Sequence, residues 1–359
     1  MVNLDLSFWA SKKVLITGHT GFKGSWLTIW LKNLNAKVYG YSLEEEEDLN
    51  LFNSFPKTFV SKDINHYVGD IRDKSYLDKV INKVKPDIIF HLAAQALVKR
   101  GYKEPLLTWE TNVMGSLNLL NTIQEINHSC SVVIVTTDKV YKNNEWIFGY
   151  RENDQLGGYD PYSASKAALE LAVSSWRNSF CNSSRNKNIK IATARAGNVI
   201  GGGDWAPNRL IPDTIRSITN KKDLIIRNPY STRPWQHVLE PLWGYMLLAK
   251  ALYQSENEYC ESFNFGPQIQ SNRTVKEVTE KIFKIWPGKY IFDNEGNEHH
   301  EAEKLYLQID KAFQKLNWCP KINFEKSIEK TIFWYKDFYE GKSALECCLR
   351  DINFYQELI

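Results

Sequence analysis

Val14-Leu15-Ile16-Thr17-Gly18-His19-Thr20-Gly21-Phe22-Lys23-Gly24 joins a short apolar, β-branched run to a turn punctuated by three glycines. Trp26, Leu27, Ile29, Trp30, Leu31 and Leu34 then recur at helical spacing, and Lys37 to Tyr41 is a second apolar run. Strand, glycine turn, helix, strand is the opening unit of a parallel α/β sheet. Such glycines permit a tight turn and close backbone approach, and the N-terminus of the following helix offers N–H groups to a pyrophosphate. The bland alternative is a tight βα turn with no ligand; the strand–turn–helix–strand context favours dinucleotide binding.

Outward from this unit the βα rhythm continues. Strands are expected at 13–17, 37–41, 65–68, 87–91, 131–136 and 189–194, with helices near 22–34, 73–84, 105–127 and 160–180. After Arg195 the rhythm breaks. Residues 198–240 are rich in Gly, Pro, Trp and Arg, as in a loop-dominated lobe able to close over a ligand. Shorter helices follow at 240–253, 274–286, 310–316 and 324–339, with little strand between them. The expected class is α/β: a Rossmann-type doubly wound parallel sheet with a smaller C-terminal substrate-binding lobe. The division is 1–198 and 199–359, with segments near 235–265 returning to the first domain. There are no internal repeats and no low-complexity segment.

Ligands of open α/β sheets gather at the carboxyl ends of strands. Ser42 ends the second strand, where an acid often grips the adenosine ribose; its hydroxyl predicts a looser hold. Asp70, with Ile71 after it, stands where a carboxylate meets an adenine amino group, or caps the helix starting near Asp73. Leu92-Ala93-Ala94-Gln95 closes the fourth strand with small residues that let a flat cofactor pass, while His91 reads as a satisfied core histidine. Thr111, on the following helix, completes the candidate cofactor contacts with Gly18, His19, Gly21, Phe22, Lys23 and Gly24. The His19 ring is expected to crowd the turn and loosen the cofactor further. The Lys23 charge attracts a pyrophosphate yet needs room beside it.

Two later segments carry chemistry. Thr136-Thr137-Asp138-Lys139 ends an apolar run, and Tyr162-Ser163-Ala164-Ser165-Lys166 opens a helix. A tyrosine four residues before a lysine shares its helix face, and an ammonium beside a phenol favours the phenolate. With the Thr137 hydroxyl, that pair can oxidise a carbinol if a hydride acceptor lies opposite. Asp138 is not needed for simple oxidation and points to a second chemical step.

Bulk properties narrow the classes. The 359 residues are 43% hydrophobic and 24% charged, ordinary for a globular protein. A net charge of +3 without a basic stripe argues against nucleic acid. No apolar run approaches the roughly 20 residues that span a bilayer, and Met1 to Lys13 lacks a secretion signal. The six cysteines have neither metal-ligand nor disulfide-framework spacing, which fits buried thiols in a reducing cytoplasm. Several of the twelve tryptophans sit at helical spacing and are expected in the core.

Taken together, these residues resemble the extended short-chain dehydrogenase/reductase family over nearly the whole chain, and within it the nucleotide-sugar 4,6-dehydratases. Thr137-Asp138-Lys139 resembles the CDP-glucose group, whose dTDP-glucose relatives carry Thr-Asp-Glu. The glycine turn, Arg195-Ala196-Gly197-Asn198-Val199-Ile200-Gly201-Gly202-Gly203-Asp204-Trp205, and His300-Glu301-Ala302 ahead of Asp310-Lys311-Ala312 are similar to the same group. The resemblance implies a seven-stranded sheet and NAD, since no arginine replaces Ser42 and the acids at 44–48 would repel a 2′-phosphate. It also implies a homodimer, or dimer of dimers, joined through helices 105–127 and 160–180. The substrate would be CDP-glucose, with no membrane or nucleic-acid partner and no metal, in dideoxyhexose and lipopolysaccharide sugar synthesis.

In that scheme Tyr162 removes the 4-hydroxyl proton, Lys166 holds the nicotinamide ribose, and Thr137 bonds the 4-oxygen. Asp138 protonates the departing 6-hydroxyl. Asn198 holds the sugar or its diphosphate, Arg233 neutralises the diphosphate, and Arg209 is a second candidate for that charge. Lys139 replaces the expected glutamate base for C5. It serves either as that base in neutral form or as the counter-charge of Asp138, the base being favoured. A 4-epimerase would need Tyr162 and Lys166 but not Asp138, and a non-catalytic scaffold tends to lose the tyrosine–lysine pair or the threonine, whereas Tyr162, Lys166 and Thr137 are all present.

Overall fold

The computed structural model describes residues 5–45, 49–181, 189–255, 257–293 and 304–359. His300-Glu301-Ala302 and the end of the acidic run, 46–48, lie outside them. Seven strands form the main sheet: β1 (Lys13–Thr17), β2 (Lys37–Ser42), β3 (Asn65–Val68), β4 (Ile88–His91), β5 (Cys130–Val135), β6 (Ile189–Arg195) and β7 (Ser262–Asn264). Their order is β7-β6-β5-β4-β1-β2-β3, with every neighbouring pair parallel. The order reverses between β1 and β4, which makes their carboxyl ends the switch point where ligands sit in such sheets.

The central strands are apolar on both sides because both faces are covered. Alternation divides them: Val14, Ile16, Ile88, Phe90, Val133 and Ala192 enter one core, and Leu15, Ile89, Val132, Ile134 and Ile191 the other. The first core is the larger. It takes in α1 (Phe22–Asn33), the C-terminal helices and most of the tryptophans. The second takes in α2 (Lys74–Val84), part of the 105–124 run, and α3 (Pro161–Trp176). Trp30 stacks on Trp243 across two helices, 6.1 Å between centroids, so tryptophan here is packing material.

Several elements go beyond the sequence expectation. The helix expected at 105–127 is Pro105–Trp109 and Ser116–Gln124, joined by a wider turn over Glu110–Gly115. Such i→i+5 turns re-aim side chains and gather at functional sites. The helix expected at 160–180 is α3, with a similar wide turn over Arg177–Cys181. α4 (Leu239–Gln254) is apolar nearly all round and buried from Leu239 to Leu252, as befits a helix lying on a sheet under other helices. β7 follows it. α5 (Phe324–Tyr339) precedes a last helix, α6 (Ala344–Gln356), which a Ser343/Glu346 capping box starts.

Three short strand pairs build the lobe. Val199–Ile200 lies beside Gln236–His237, Leu224–Ile226 beside Tyr290–Phe292, and Thr232–Pro234 runs antiparallel to Asn272–Thr274. Among the later helices, where little strand is expected, only Asn272–Thr274 and Tyr290–Phe292 of these pairs occur, three residues each. All six cysteines are free. Among the described residues no helix is long and apolar enough to cross a membrane.

Candidate active site

The glycine turn is built at β1's end. Gly18 has φ +72°, and its N–H donates to the Tyr41 carbonyl at 2.8 Å. A Cβ on Gly18 would lie 2.7 Å from the Ala93 nitrogen, and one on Gly24 would collide with the Gly18 carbonyl. Neither position admits a side chain. Gly21 differs: a Cβ there would meet only the Gly18 oxygen, at 3.5 Å. It is the N-cap residue of α1 and supplies no side-chain acceptor to the first helical turn. The space before this helix N-terminus is therefore shaped for an anionic group, which fits a dinucleotide pyrophosphate.

His19 is corrected by the structure. Its ring is fully buried and turned away from the turn, packed over Gly40 and edge-on to Phe52, with Nε2 2.6 Å from His66 Nδ1. Gly40 has no side chain to fill that space, so the ring does, and it does not crowd the turn. Burial, with His66 adding, draws its pKa down to about 3, so it is neutral. Ser42 exchanges a hydrogen bond with Thr20, 2.5 Å between oxygens. Asp70 does not cap α2; Asp73 does, accepting from the Tyr76 N–H. Asp70 instead accepts from the Arg72 backbone and forks with its guanidinium at 2.6 Å, which holds its carboxyl below the ordinary range. The Ile71 side chain is buried in the second core, leaving only its backbone for a ligand. His91 is a satisfied core histidine: Nδ1 meets Thr17 Oγ1 at 2.7 Å and Nε2 meets Ser116 Oγ at 2.8 Å.

At β5's end and on α3 the catalytic candidates converge. Asp160 caps α3 through the Ser163 N–H, and Pro161 takes the first helical position. Tyr162 and Lys166 are both buried on one face. Thr137 donates to Asp138 Oδ1 at 2.9 Å and lies beside the Tyr162 phenol. Asp138 is 1% exposed and packs against Gly197, where a Cβ would collide with the carboxylate. Asn198, held at φ +49°, reaches the other carboxylate oxygen from the far side at 3.4 Å. Lys139 Nζ stands 3.6 Å from Asp138 Oδ1.

The titration of Tyr162 departs from expectation. Burial pushes the phenol up to about 12; the Thr137 bond and Arg209 oppose this, and Asp138 and Asp160 add to it. Lys166 is itself drawn down to about 8 by burial against the pull of Glu170, and its ammonium donates to the Val135 carbonyl at 3.3 Å. The Tyr–Lys spacing alone does not make the phenol acidic, because desolvation outweighs it. Lys23 projects into the same space: its ammonium meets the Tyr245 hydroxyl at 3.5 Å and is drawn down to about 8 by burial, then Arg209.

Arg209 joins this cluster. Its guanidinium pairs with Asp204 at 2.8 Å and acts electrostatically on Tyr162. Arg233 is placed differently, on the lobe strand Thr232–Pro234, buried, with Nη1 donating to its neighbour Thr232. Gln95 anchors the β4 end to the wide helical turn, and Asn112 rather than Thr111 makes the links. Asn112 Oδ1 accepts from the Gln95 N–H at 2.8 Å, and its amide donates to the Gln95 carbonyl and to Ser165 Oγ. Asn112, Thr20 and Tyr245 escaped the sequence reading. A lone Asn, Thr or Tyr inside an amphipathic segment carries no spacing signal.

Comparison with known proteins adds an independent line. Residues 15–331 match the family described as GDP-mannose 4,6 dehydratase. The chain is 44% identical over 356 residues to a CDP-glucose 4,6-dehydratase of Salmonella typhimurium, covering 98% of each chain. It is 26% identical to a dTDP-D-glucose 4,6-dehydratase of Dictyostelium discoideum, over 91% of this chain and 82% of that one. Among solved structures, the dTDP-glucose 4,6-dehydratase of Bacillus anthracis in complex with NAD superposes with a TM-score of 0.75 at 22% identity, covering 92% and 99% of the two chains. A family model covering residues 15–331 and a relative 44% identical over 98% of the chain place it in the GDP-mannose 4,6 dehydratase family, within the extended short-chain dehydrogenases/reductases.

Proposed function

We propose that this protein is a lyase that removes water from CDP-glucose, giving CDP-4-dehydro-6-deoxyglucose. The observation that carries the reading is Asp138: a buried carboxylate bonded to Thr137, beside the oxidation set, in a position a plain dehydrogenase or a 4-epimerase has no use for. The 44% identity to a CDP-glucose enzyme supports the choice of substrate.

The Gly18–Gly24 turn would hold NAD, with Lys166 toward its nicotinamide ribose, and NAD when bound would supply the hydride acceptor and donor. Tyr162 first gives up its own proton to solvent, against the upward push of burial and helped by the Lys166 charge; the phenolate then takes the proton of the 4-hydroxyl while Thr137 holds the oxygen. The 4-ketone so formed acidifies the C5 proton. Lys139 and Asp138 then act as a pair. A proton passing from the ammonium to the carboxylate across their contact leaves a neutral amine and a carboxylic acid. The amine takes the C5 proton, and the acid protonates the leaving 6-hydroxyl. Asn198 holds the sugar against Asp138, Arg209 meets the diphosphate from the Asp204 side, and Arg233 does so from the lobe. Ser42, Asp70, Leu92, Ala93, Ala94 and Thr111 would contact the adenosine and nicotinamide halves.

Residues 199–234 and the later lobe segments form the nucleotide-sugar domain, with 235–265 returning to the NAD-binding domain. Leu106, Met114 and Leu171, 78%, 55% and 62% exposed on the 105–124 run and α3, support a homodimer through these helices. Six free thiols and a nucleotide-sugar substrate suit the cytoplasm and surface-polysaccharide synthesis. The test is incubation with NAD and each of CDP-, dTDP-, UDP- and GDP-glucose, followed by mass spectrometry. Loss of one water from CDP-glucose is expected, and an unchanged CDP-glucose mass overturns the reading.

A further inference from the structure

α3 carries three ionisable side chains one turn apart on one face, Tyr162, Lys166 and Glu170. The proposed reaction uses only the first two. Glu170 is 2% exposed and accepts from four donors: Thr136 Oγ1 at 2.6 Å, Thr193 Oγ1 at 2.8 Å, Arg195 Nη2 at 2.9 Å and Ser262 Oγ at 3.1 Å. Thr136 is the residue after β5, Thr193 and Arg195 belong to β6, and Ser262 opens β7. One carboxylate thus gathers three adjacent strands onto the helix that carries the tyrosine. Thr136 leads directly into Thr137 and Asp138.

The charge matters as much as the bonds. Burial alone would push the Glu170 carboxyl up, but Arg195 and the two threonine hydroxyls outweigh it and hold the group below its ordinary range, ionised. Against Lys166, burial acts to remove the proton and Glu170 acts to keep it. Other groups face this pair from every side. Lys23 from α1 and His91 from β4 act on Lys166 or feel it; Asp138, Arg209 and Asp160 act on Tyr162. Arg195 and Arg177 face Glu170. Among these, Lys23 opposes the Lys166 charge and His91 is neutral, drawn down to about 3.

We infer that Glu170 is a positioning residue of the reaction, keeping the ammonium on Lys166 and tying the strand end that bears Thr137 and Asp138 to the helix that bears Tyr162. The inference rests on the reading of Tyr162 and Lys166 as the oxidation pair. A neutral Lys166 could not favour the phenolate; because the phenol titrates well above the lysine, turnover rises with pH up to the lysine titration and levels off there. Loss of the Glu170 charge brings that levelling-off to lower pH.

The test is an NMR titration of Lys166 in full-length protein labelled with ¹³C at lysine Cε, assigned with Lys166→Met, alongside the pH profile of CDP-glucose turnover. Glu170→Gln is expected to lower the Lys166 titration, and the pH at which turnover levels off, by about one pH unit. Glu170→Asp, which keeps the charge, is expected to leave the titration within about 0.3 unit of wild type while slowing turnover through the lost Thr136 bond. An unmoved Lys166 titration in folded Glu170→Gln overturns the inference. Should Glu170→Gln not fold, Glu170→Ala removes the same charge: a fall of about one unit in the Lys166 titration supports the inference, and an unmoved one overturns it. Because the NMR readout needs no substrate, it stands or falls separately from the assignment of CDP-glucose.

Discussion

The two ends of the site are built on opposite principles. At β1 the cofactor side is made of missing atoms: Gly18 and Gly24 sit where a single Cβ would strike backbone, and Gly40 leaves a hole that His19 fills. At β5 the catalytic side is made of present ones, with Thr136, Thr137, Asp138, Tyr162, Lys166 and Glu170 buried and hydrogen-bonded to one another or to strand ends. The first end fails when something is added, the second when something is removed. The first failure is one of folding and binding; the second is one of rate.

The largest expected effect follows from the first end. Gly24→Ala should cost about 3 kcal/mol or more of stability, because the methyl meets a backbone carbonyl that cannot turn aside. Gly21→Ala, with its nearest neighbour at 3.5 Å, should fold normally and lose only NAD affinity. Thermal melts and NAD titrations of the two variants check this. Equal melting temperatures would erase the distinction between a packing glycine and a ligand-facing one.

At the second end, Tyr162→Phe should lower turnover at least 10²-fold with an unchanged melt, the usual scale for a lost acid–base group. Asp138→Asn should separate the steps: NADH absorbance should rise on mixing with CDP-glucose while water loss stalls. A 6-fluoro substrate, which needs less acid help, should recover much of the rate. Equal damage with both substrates would take Asp138 out of the elimination step.

A smaller and more gradual effect concerns pH. His19, His91 and His237 are buried, and burial draws each down to about 3. Between about 6.5 and 3 the unfolded chain binds protons that the folded chain refuses, so stability falls as pH falls through that window. Each histidine contributes a slope of about 1.4 kcal/mol per pH unit once its unfolded form is fully protonated. Denaturant unfolding at pH 7, 5.5 and 4.5 should show this, with His91→Gln shallower than wild type. An identical slope in that variant would mean His91 is not neutral by burial.

The two ends were also unequally legible in the sequence. Glycine spacing after an apolar run, and Tyr–Lys at i,i+4, are local patterns, and both led to the right elements. The direction of the His19 ring was not legible, because it depends on Gly40 and His66, residues far along the chain. The Tyr162 titration was missed for a similar reason: spacing places Lys166 nearby, but the desolvation that outweighs it comes from tertiary packing. β7, three residues long and flanked by no βα rhythm, left no period to find. The last helix did leave a signal, Ser343 and Glu346 at capping-box spacing before Ala344.

That seventh strand has a consequence for how the molecule is made. Ser262 supplies one of the four donors to Glu170, and Asn264 accepts from Tyr141, itself bonded to Arg195. The chain segment that finishes the catalytic wall is therefore translated about a hundred residues after the helix it supports. On the ribosome, β1 to β6 can assemble as a unit while their outer edge stands open. Until residue 264 has emerged, β6 is an unpaired edge and the nascent chain has no closed site, so a truncation before that point leaves an exposed strand in place of an enzyme.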